Sequence, residues 1–94
     1  AADLNLEKTL EIVSSGAAGS WSLNNYAPRI LKGDLKPGFF AEHQLKDLCI
    51  ALNESQKLNL NLPATKLMRE LYRQLCEKTD TNLGNHALIH LYHP

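Results

Sequence analysis

The sequence predicts an all-α fold, a single helical domain of about five helices. Three observations predict it. Apolar residues recur at three- and four-residue spacing in most of the chain. No segment alternates polar and apolar residues for more than a few positions. Gly, Pro and Asp cluster between the periodic stretches, where turns belong. At 94 residues the chain is one domain at most.

The first helix spans about 6–14, with Leu6, Leu10 and Val13 on one face. Asn5 caps it and Glu7 suits the positive end of its dipole. "SSG" ends it, with Gly16 free to take the left-handed conformation. The second helix covers about 18–31, with Leu23, Tyr26, Ala27, Ile30 and Leu31 spaced for packing. Pro28 lacks an N–H and crowds the carbonyl four residues back, so a kink or an early end is expected there. "KGDLKPG" (32–38) is a loop.

The third helix runs about 40–58, and Leu45, Leu48, Cys49 and Leu52 form its apolar face. The alternating "LNLNL" (58–62) is short and reads as a connection. Pro63 opens the fourth helix, a position where its missing N–H costs nothing. That helix continues to about Lys78 with Leu67, Met68, Leu71, Tyr72, Leu75 and Cys76 inward. "TDTNLG" breaks it. Asn85 is placed to cap a last short helix, 86–92.

Ten Lys+Arg balance ten Asp+Glu. No basic excess favours nucleic acid, and no apolar run approaches the about 20 residues of a membrane span. Cys49 and Cys76 fall on apolar helical faces. Lone thiols in such places point to a reducing compartment such as the cytoplasm, although a bridge between the two helices is also open. The chain does not begin with Met, and "AADLNLEKTLEIV" reads like the interior of a longer polypeptide.

Chemistry-bearing motifs are sparse. "SSGAAGS" (14–20) superficially resembles a phosphate cradle, but no strand precedes it, and a helix–helix turn fits better. His86, His90 and His93 recur at i, i+4 and i+7, a spacing that lines up imidazoles on an α-helix. The stretch has no acidic partner, and no metal centre is expected. His43 reads as a solvated side chain.

The third helix carries the one anomaly. At about 100° per residue, Lys46 lies a quarter-turn or slightly more from the centre of the apolar face, and Asp47 lies nearly opposite it. Ile50 follows Lys46 by one turn on the same stripe, and His43 is close to it. A β-branched apolar residue beside a lysine, away from the core, marks either a face that meets something else or a stray exposed residue.

The ordered string "GD", "PGF", "KDL" and "LP", within "GAAGSWSLNNYAPRILKGDLKPGFFAEHQLKDLCIALNESQKLNLNLPATKLMRELY", resembles the C-terminal domain of the β-hydroxyacid dehydrogenase family. That family includes 3-hydroxyisobutyrate dehydrogenase and 2-hydroxy-3-oxopropionate reductase. The likeness covers about residues 4–92. It implies a catalytic partner domain of Rossmann type upstream, NAD or NADP as cofactor, a small hydroxyacid or semialdehyde substrate, and a homo-oligomer. It also implies that a lysine outside this chain acts as general acid/base and that this chain alone is inactive.

By the same likeness, Lys46 is the cofactor-binding residue. Asp47 is the catalytic carboxylate that orients the lysine or a water. Phe39 is a substrate-binding aromatic wall, with Phe40 in that role if the register slips by one. Near the end the family's "GxxDxSAL" is replaced by "LGNHALIHLY", so no site role passes to Asn85 or His86. A helical association module without catalysis is the alternative reading.

Overall fold

In the computed structural model, which describes residues 2–79 and 82–93, the chain forms four α-helices and one 3₁₀ helix. They are α1 (Leu6–Ser14), α2 (Trp21–Leu31), α3 (Ala41–Lys57), α4 (Pro63–Lys78) and the 3₁₀ helix (Asn85–Leu91). The described residues contain no strand, and none of their helices is long and apolar enough to cross a membrane. The helices group into two compact units, Ala1–Leu35 and Lys36–Pro94.

The first unit is the α1–α2 hairpin. The Asn5 side chain accepts from the Lys8 N–H at 2.9 Å and caps α1 as expected. Ser20 caps α2, its hydroxyl accepting from the Leu23 N–H at 3.0 Å. The "SSGAAGS" stretch is the turn between them, but Gly16 does not enter the left-handed region. Gly19 is the glycine that this turn requires, because a Cβ there would lie 2.5 Å from the Ser14 carbonyl oxygen.

Pro28 does not end α2, which continues one turn to Leu31. The helix stops at Gly33, whose φ of +72° needs no side chain to be accommodated. The Gly33 N–H donates to Ile30 O (3.0 Å) and the Asp34 N–H to Arg29 O (2.9 Å), the paired closing bonds of a Schellman turn. Arg29 and Asp34 add an ion pair at 3.2 Å across the same turn. Neither helix has a buried residue. Leu6, Leu10, Val13, Leu23, Ala27 and Leu31 instead line an open apolar groove.

The second unit holds the core. Leu75 and Ala87 are fully buried, and Ala41, Leu52, Ser55, Tyr72 and His86 are buried with them. Ala41 and Ala87 are small, which lets the 3₁₀ helix approach α3 and α4 closely. Leu45, Leu48 and Cys49 flank Leu52 half-buried, so the apolar face of α3 is the one its periodicity gives. On α4, Met68, Leu71 and Cys76 are half-buried, but Leu67, expected inward, is 59% exposed. It lies about 80° around the helix from Leu75 and falls outside the contact stripe.

"LNLNL" is the α3–α4 connection. Asn59 sits at φ +56°, with its N–H on Gln56 O (3.2 Å) and the Leu60 N–H on Ser55 O (2.8 Å). This is a second Schellman turn, with Asn where glycine is usual. Cys49 and Cys76 are free thiols. Burial, and then the charge of Glu42, pushes the Cys76 thiol up. The "TDTNLG" break includes residues 80 and 81, which lie outside the described residues.

The last helix differs from expectation in type and in cap. It is 3₁₀, and its N-cap is Gly84, with no side-chain cap. Asn85 is its first residue and is engaged elsewhere. With three residues per turn, i, i+4 and i+7 no longer share a stripe. His86 is buried, His90 is half-buried, and His93 lies beyond the helix, exposed.

Candidate functional site

The start of α3 is fastened to the segment before the 3₁₀ helix. Phe40 and Gly84 form an isolated antiparallel bridge. The Asn85 N–H donates to Phe39 O at 2.7 Å and the Ala41 N–H donates to Leu83 O at 3.0 Å. Gly84 makes this approach possible. A Cβ there would meet the His86 ring at 2.5 Å and Pro37 Cα at 3.1 Å.

Side chains tighten the same junction. The Tyr72 hydroxyl, carried by α4, donates to Asn85 O at 2.7 Å. The Asn85 amide donates to Gln44 Oε1 at 3.4 Å. Burial pushes the Tyr72 phenol up, so it remains a donor over the ordinary pH range. The backbone carrying Phe39 and Phe40 is thus held by α3, α4 and the 3₁₀ helix together.

On this base Phe39 and Phe40 are partly exposed, 37% and 38%. The His43 ring sits against both. It meets Phe39 edge-on, with centroids 6.0 Å apart, and Phe40 in a tilted contact at 5.4 Å. Lys46 and Asp47 follow on the next turn, both exposed. Among the described residues neither takes part in an ion pair or a side-chain hydrogen bond. Ile50 is 54% exposed one turn after Lys46.

The structure therefore brings Phe39, His43, Lys46, Asp47 and Ile50 onto one solvent-facing side of α3 and its N-terminal loop. Two concavities of this unit do not include them: one lies between α3 and α4, the other is lined by Lys78, Thr79, His90 and Leu91. The candidate site is an open wall, not a closed pocket. Its chemical content is one ammonium, one carboxylate, an imidazole and an aromatic-aliphatic surface. A flexible cation can meet the polar edge of a ligand, and an unpaired carboxylate can accept from a donor.

Two participants were not legible beforehand. His43 is exposed, as expected, and its ring also contacts both phenylalanine rings. Asn85 is not a helix cap but the hub of the fastening. The one sequence signal for the hub was Tyr72: a buried tyrosine needs an acceptor for its hydroxyl.

Residues 1–92 match the model of a family described as NAD-binding of NADP-dependent 3-hydroxyisobutyrate dehydrogenase. The chain is 47% identical over 88 residues to a probable 3-hydroxyisobutyrate dehydrogenase-like protein 1, mitochondrial, of Arabidopsis thaliana, covering 94% of this chain and 26% of that protein. It is 35% identical over 80 residues to the 2-hydroxy-3-oxopropionate reductase of Escherichia coli, covering 84% and 27%. The fold is shared with the crystal structure of a 3-hydroxyisobutyrate dehydrogenase from Salmonella typhimurium, with a TM-score of 0.88 at 20% identity, covering 96% of this chain and 32% of that one. The chain spans about a quarter to a third of the length of these relatives. With 92 of its positions matched by that family, this chain belongs to the 3-hydroxyisobutyrate dehydrogenase family of NAD(P)-dependent oxidoreductases, in its NAD-binding helical domain.

Proposed function

We propose that this chain is the helical domain that closes over cofactor and substrate in an NAD(P)-dependent β-hydroxyacid dehydrogenase or semialdehyde reductase, of 3-hydroxyisobutyrate or 2-hydroxy-3-oxopropionate type. The observation that carries the reading is the Lys46–Asp47 pair. Both charges stand unpaired on an exposed face beside an exposed Ile50 and the Phe39 ring. Isolated surface charges gain little from such a setting. A face that mixes free charge with uncovered apolar surface fits a wall of an interdomain cleft.

The residues present fit a dinucleotide. Lys46 supplies a compact cation with three donors for its polar groups. Phe39, with its backbone fixed by Asn85, supplies a rigid apolar surface that displaces water from beside the reacting carbon. The nicotinamide, when bound, supplies or accepts the hydride. Asp47 accepts a hydrogen bond from a substrate-side donor and orients it. The proton that accompanies the hydride moves through residues outside this chain, in an upstream Rossmann-type domain. The 94-residue chain alone is inactive. The whole protein is a cytoplasmic homo-oligomer that acts on a small hydroxyacid or semialdehyde.

Steady-state kinetics of the full-length polypeptide test this. Lys46→Ala is expected to raise the KM for the dinucleotide tenfold or more, since a hydrogen bond to a charged group contributes about 1.5–3 kcal/mol. Asp47→Ala is expected to lower kcat with the dinucleotide KM unchanged. Wild-type kinetics in both variants would return the pair to ordinary surface.

The second reading, a helical association module without catalysis, is favoured by one observation: the α1–α2 hairpin buries no residue and leaves Leu6, Ile12 and Trp21 more than half exposed. An open reading frame with no dinucleotide-binding glycine motif upstream would decide for it.

A further inference from the structure

A second site lies between the C-terminal half of α3 and the N-terminal half of α4. It is a concavity of about 280 Å³. Buried Leu52 and Ser55 form its floor, Asn53 and Gln56 stand on the α3 side, and Lys66 and Arg69 stand on the α4 side. No carboxylate lines it.

The acids of both helices that could neutralise these cations are committed. Glu54 pairs with Lys57 at 2.9 Å. Glu70 and Glu77 both pair with Arg73. Lys66 reaches only a neutral acceptor, Asn61 Oδ1, at 3.0 Å, and Arg69 forms no ion pair or side-chain hydrogen bond among the described residues. Two like charges three residues apart on one helix face repel each other, and among the described residues only the neighbouring Glu70, itself bonded to Arg73, lends Arg69 a partial Coulombic counterweight.

The donor set is specific. Arg69 offers a planar fork, Lys66 a point charge with spare N–H donors, and Asn53 and Gln56 two neutral amide groups on the facing helix. A carboxylate can be satisfied by the arginine fork alone. A tetrahedral oxyanion has oxygens left over for donors from the other wall. The cavity also exceeds what one small ion fills, leaving room for the carbon skeleton that bears it.

We propose that this concavity binds the phosphate group of a small phosphate monoester. The site is separate from the Lys46 face: Asn53 lies seven residues, about 10 Å, further along α3.

Titration of the isotope-labelled 94-residue chain by NMR tests it, with inorganic phosphate and glycerol 3-phosphate as probes and chloride at matched ionic strength as reference. The expected result is saturable shifts at the amides of Asn53, Gln56 and Arg69, with glycerol 3-phosphate the tighter of the two. The double substitution Lys66→Gln/Arg69→Gln should weaken both at least tenfold while the spectrum stays dispersed. Should the double variant fail to fold, Arg69→Lys and Asn53→Asp test the two walls separately, the first removing the fork from the α4 side and the second adding repulsion from the α3 side. Non-saturating shifts equal to those in chloride, binding of succinate as tight as that of glycerol 3-phosphate, or wild-type affinity in the variants would each overturn the proposal.

Discussion

The Tyr72 hydroxyl donates a 2.7 Å hydrogen bond to the carbonyl of Asn85, thirteen residues along the chain. The N–H of that same Asn85 donates to Phe39 O at 2.7 Å. One residue thus ties α4 to the loop that carries the candidate aromatic wall. A backbone carbonyl in this setting needs its donor, because an unpaired buried acceptor is costly.

Tyr72→Phe should therefore destabilise the chain by about 1–2 kcal/mol, the loss of a hydrogen bond that leaves its partner unsatisfied. For a domain of this size that lowers Tm by roughly 4–16 °C. Chemical denaturation read by circular dichroism checks it. An unchanged midpoint would mean that water replaces the phenol and that the tie has no mechanical role.

Gly16 should separate from Gly84 and Gly33 on substitution by alanine. Gly84→Ala places a methyl 2.5 Å from the His86 ring and 3.1 Å from Pro37 Cα. Overpacking of this kind costs about 1–3 kcal/mol, and it loosens the Phe40–Gly84 bridge as well. Gly33→Ala meets no atom within 4 Å but must hold φ near +72°, a strain of about 1–2 kcal/mol. Gly16→Ala finds ordinary space and an ordinary φ. It should be neutral or stabilise by up to about 1 kcal/mol through the unfolded chain. A Gly16→Ala midpoint as low as that of Gly84→Ala or Gly33→Ala would contradict this account.

Much of the fold was legible because its signals are local. Asn5 before Leu6 and Pro63 after "LNLNL" each mark a helix start, and α1 and α4 have the bounds those residues imply. Leu52 and its neighbours mark the buried side of α3 by period alone. What was not legible is set by contacts distant in sequence. Pro28 warned of an early end to α2, but the turn that ends it is built around Gly33. Asn85 looked like a helix cap because cap residues are recognised locally. Its actual partners include Gln44, forty-one positions away.

The candidate site divides along the same line. Lys46, Asp47 and Ile50 fall off the apolar stripe of α3 at any helical period, so their exposure was predictable. The packing of His43 against Phe39 and Phe40 depends on where the loop is fastened, and that depends on Gly84 and Asn85. No spacing rule carries that information.

Acid should weaken the second unit through Glu70. Its carboxyl is held down to about 2, from an ordinary 4.5, mainly by the hydrogen bond from Arg73 and then by that from Gln74. The folded value lies below the unfolded one, so as pH falls the unfolded chain takes up the proton first. The stabilisation is fully present above about 4.5 and is lost as pH drops towards 2. The pair is exposed to solvent, so added salt should shrink the effect. Glu70→Gln should show a shallower loss of stability between pH 4.5 and pH 2 than the wild-type chain. Parallel pH profiles for the two would remove the Arg73–Glu70 pair from the acid response.

Ile50 separates a covered face from a stray residue. It is 54% exposed on α3, one turn after Lys46. In the 94-residue chain Ile50→Glu changes a side chain already in water, so the denaturation midpoint should move by no more than about 0.5 kcal/mol. In the full-length polypeptide the same glutamate would have to be buried against whatever covers the Lys46–Asp47 face. Burying a charge without a partner costs several times more than that, and dinucleotide affinity should fall with it. Urea titrations of both polypeptides, with dinucleotide binding measured on the longer one, compare the two costs directly. If the longer polypeptide tolerates the glutamate as well as the shorter one does, the face is open to water in both, and Lys46 and Asp47 have no cleft to line.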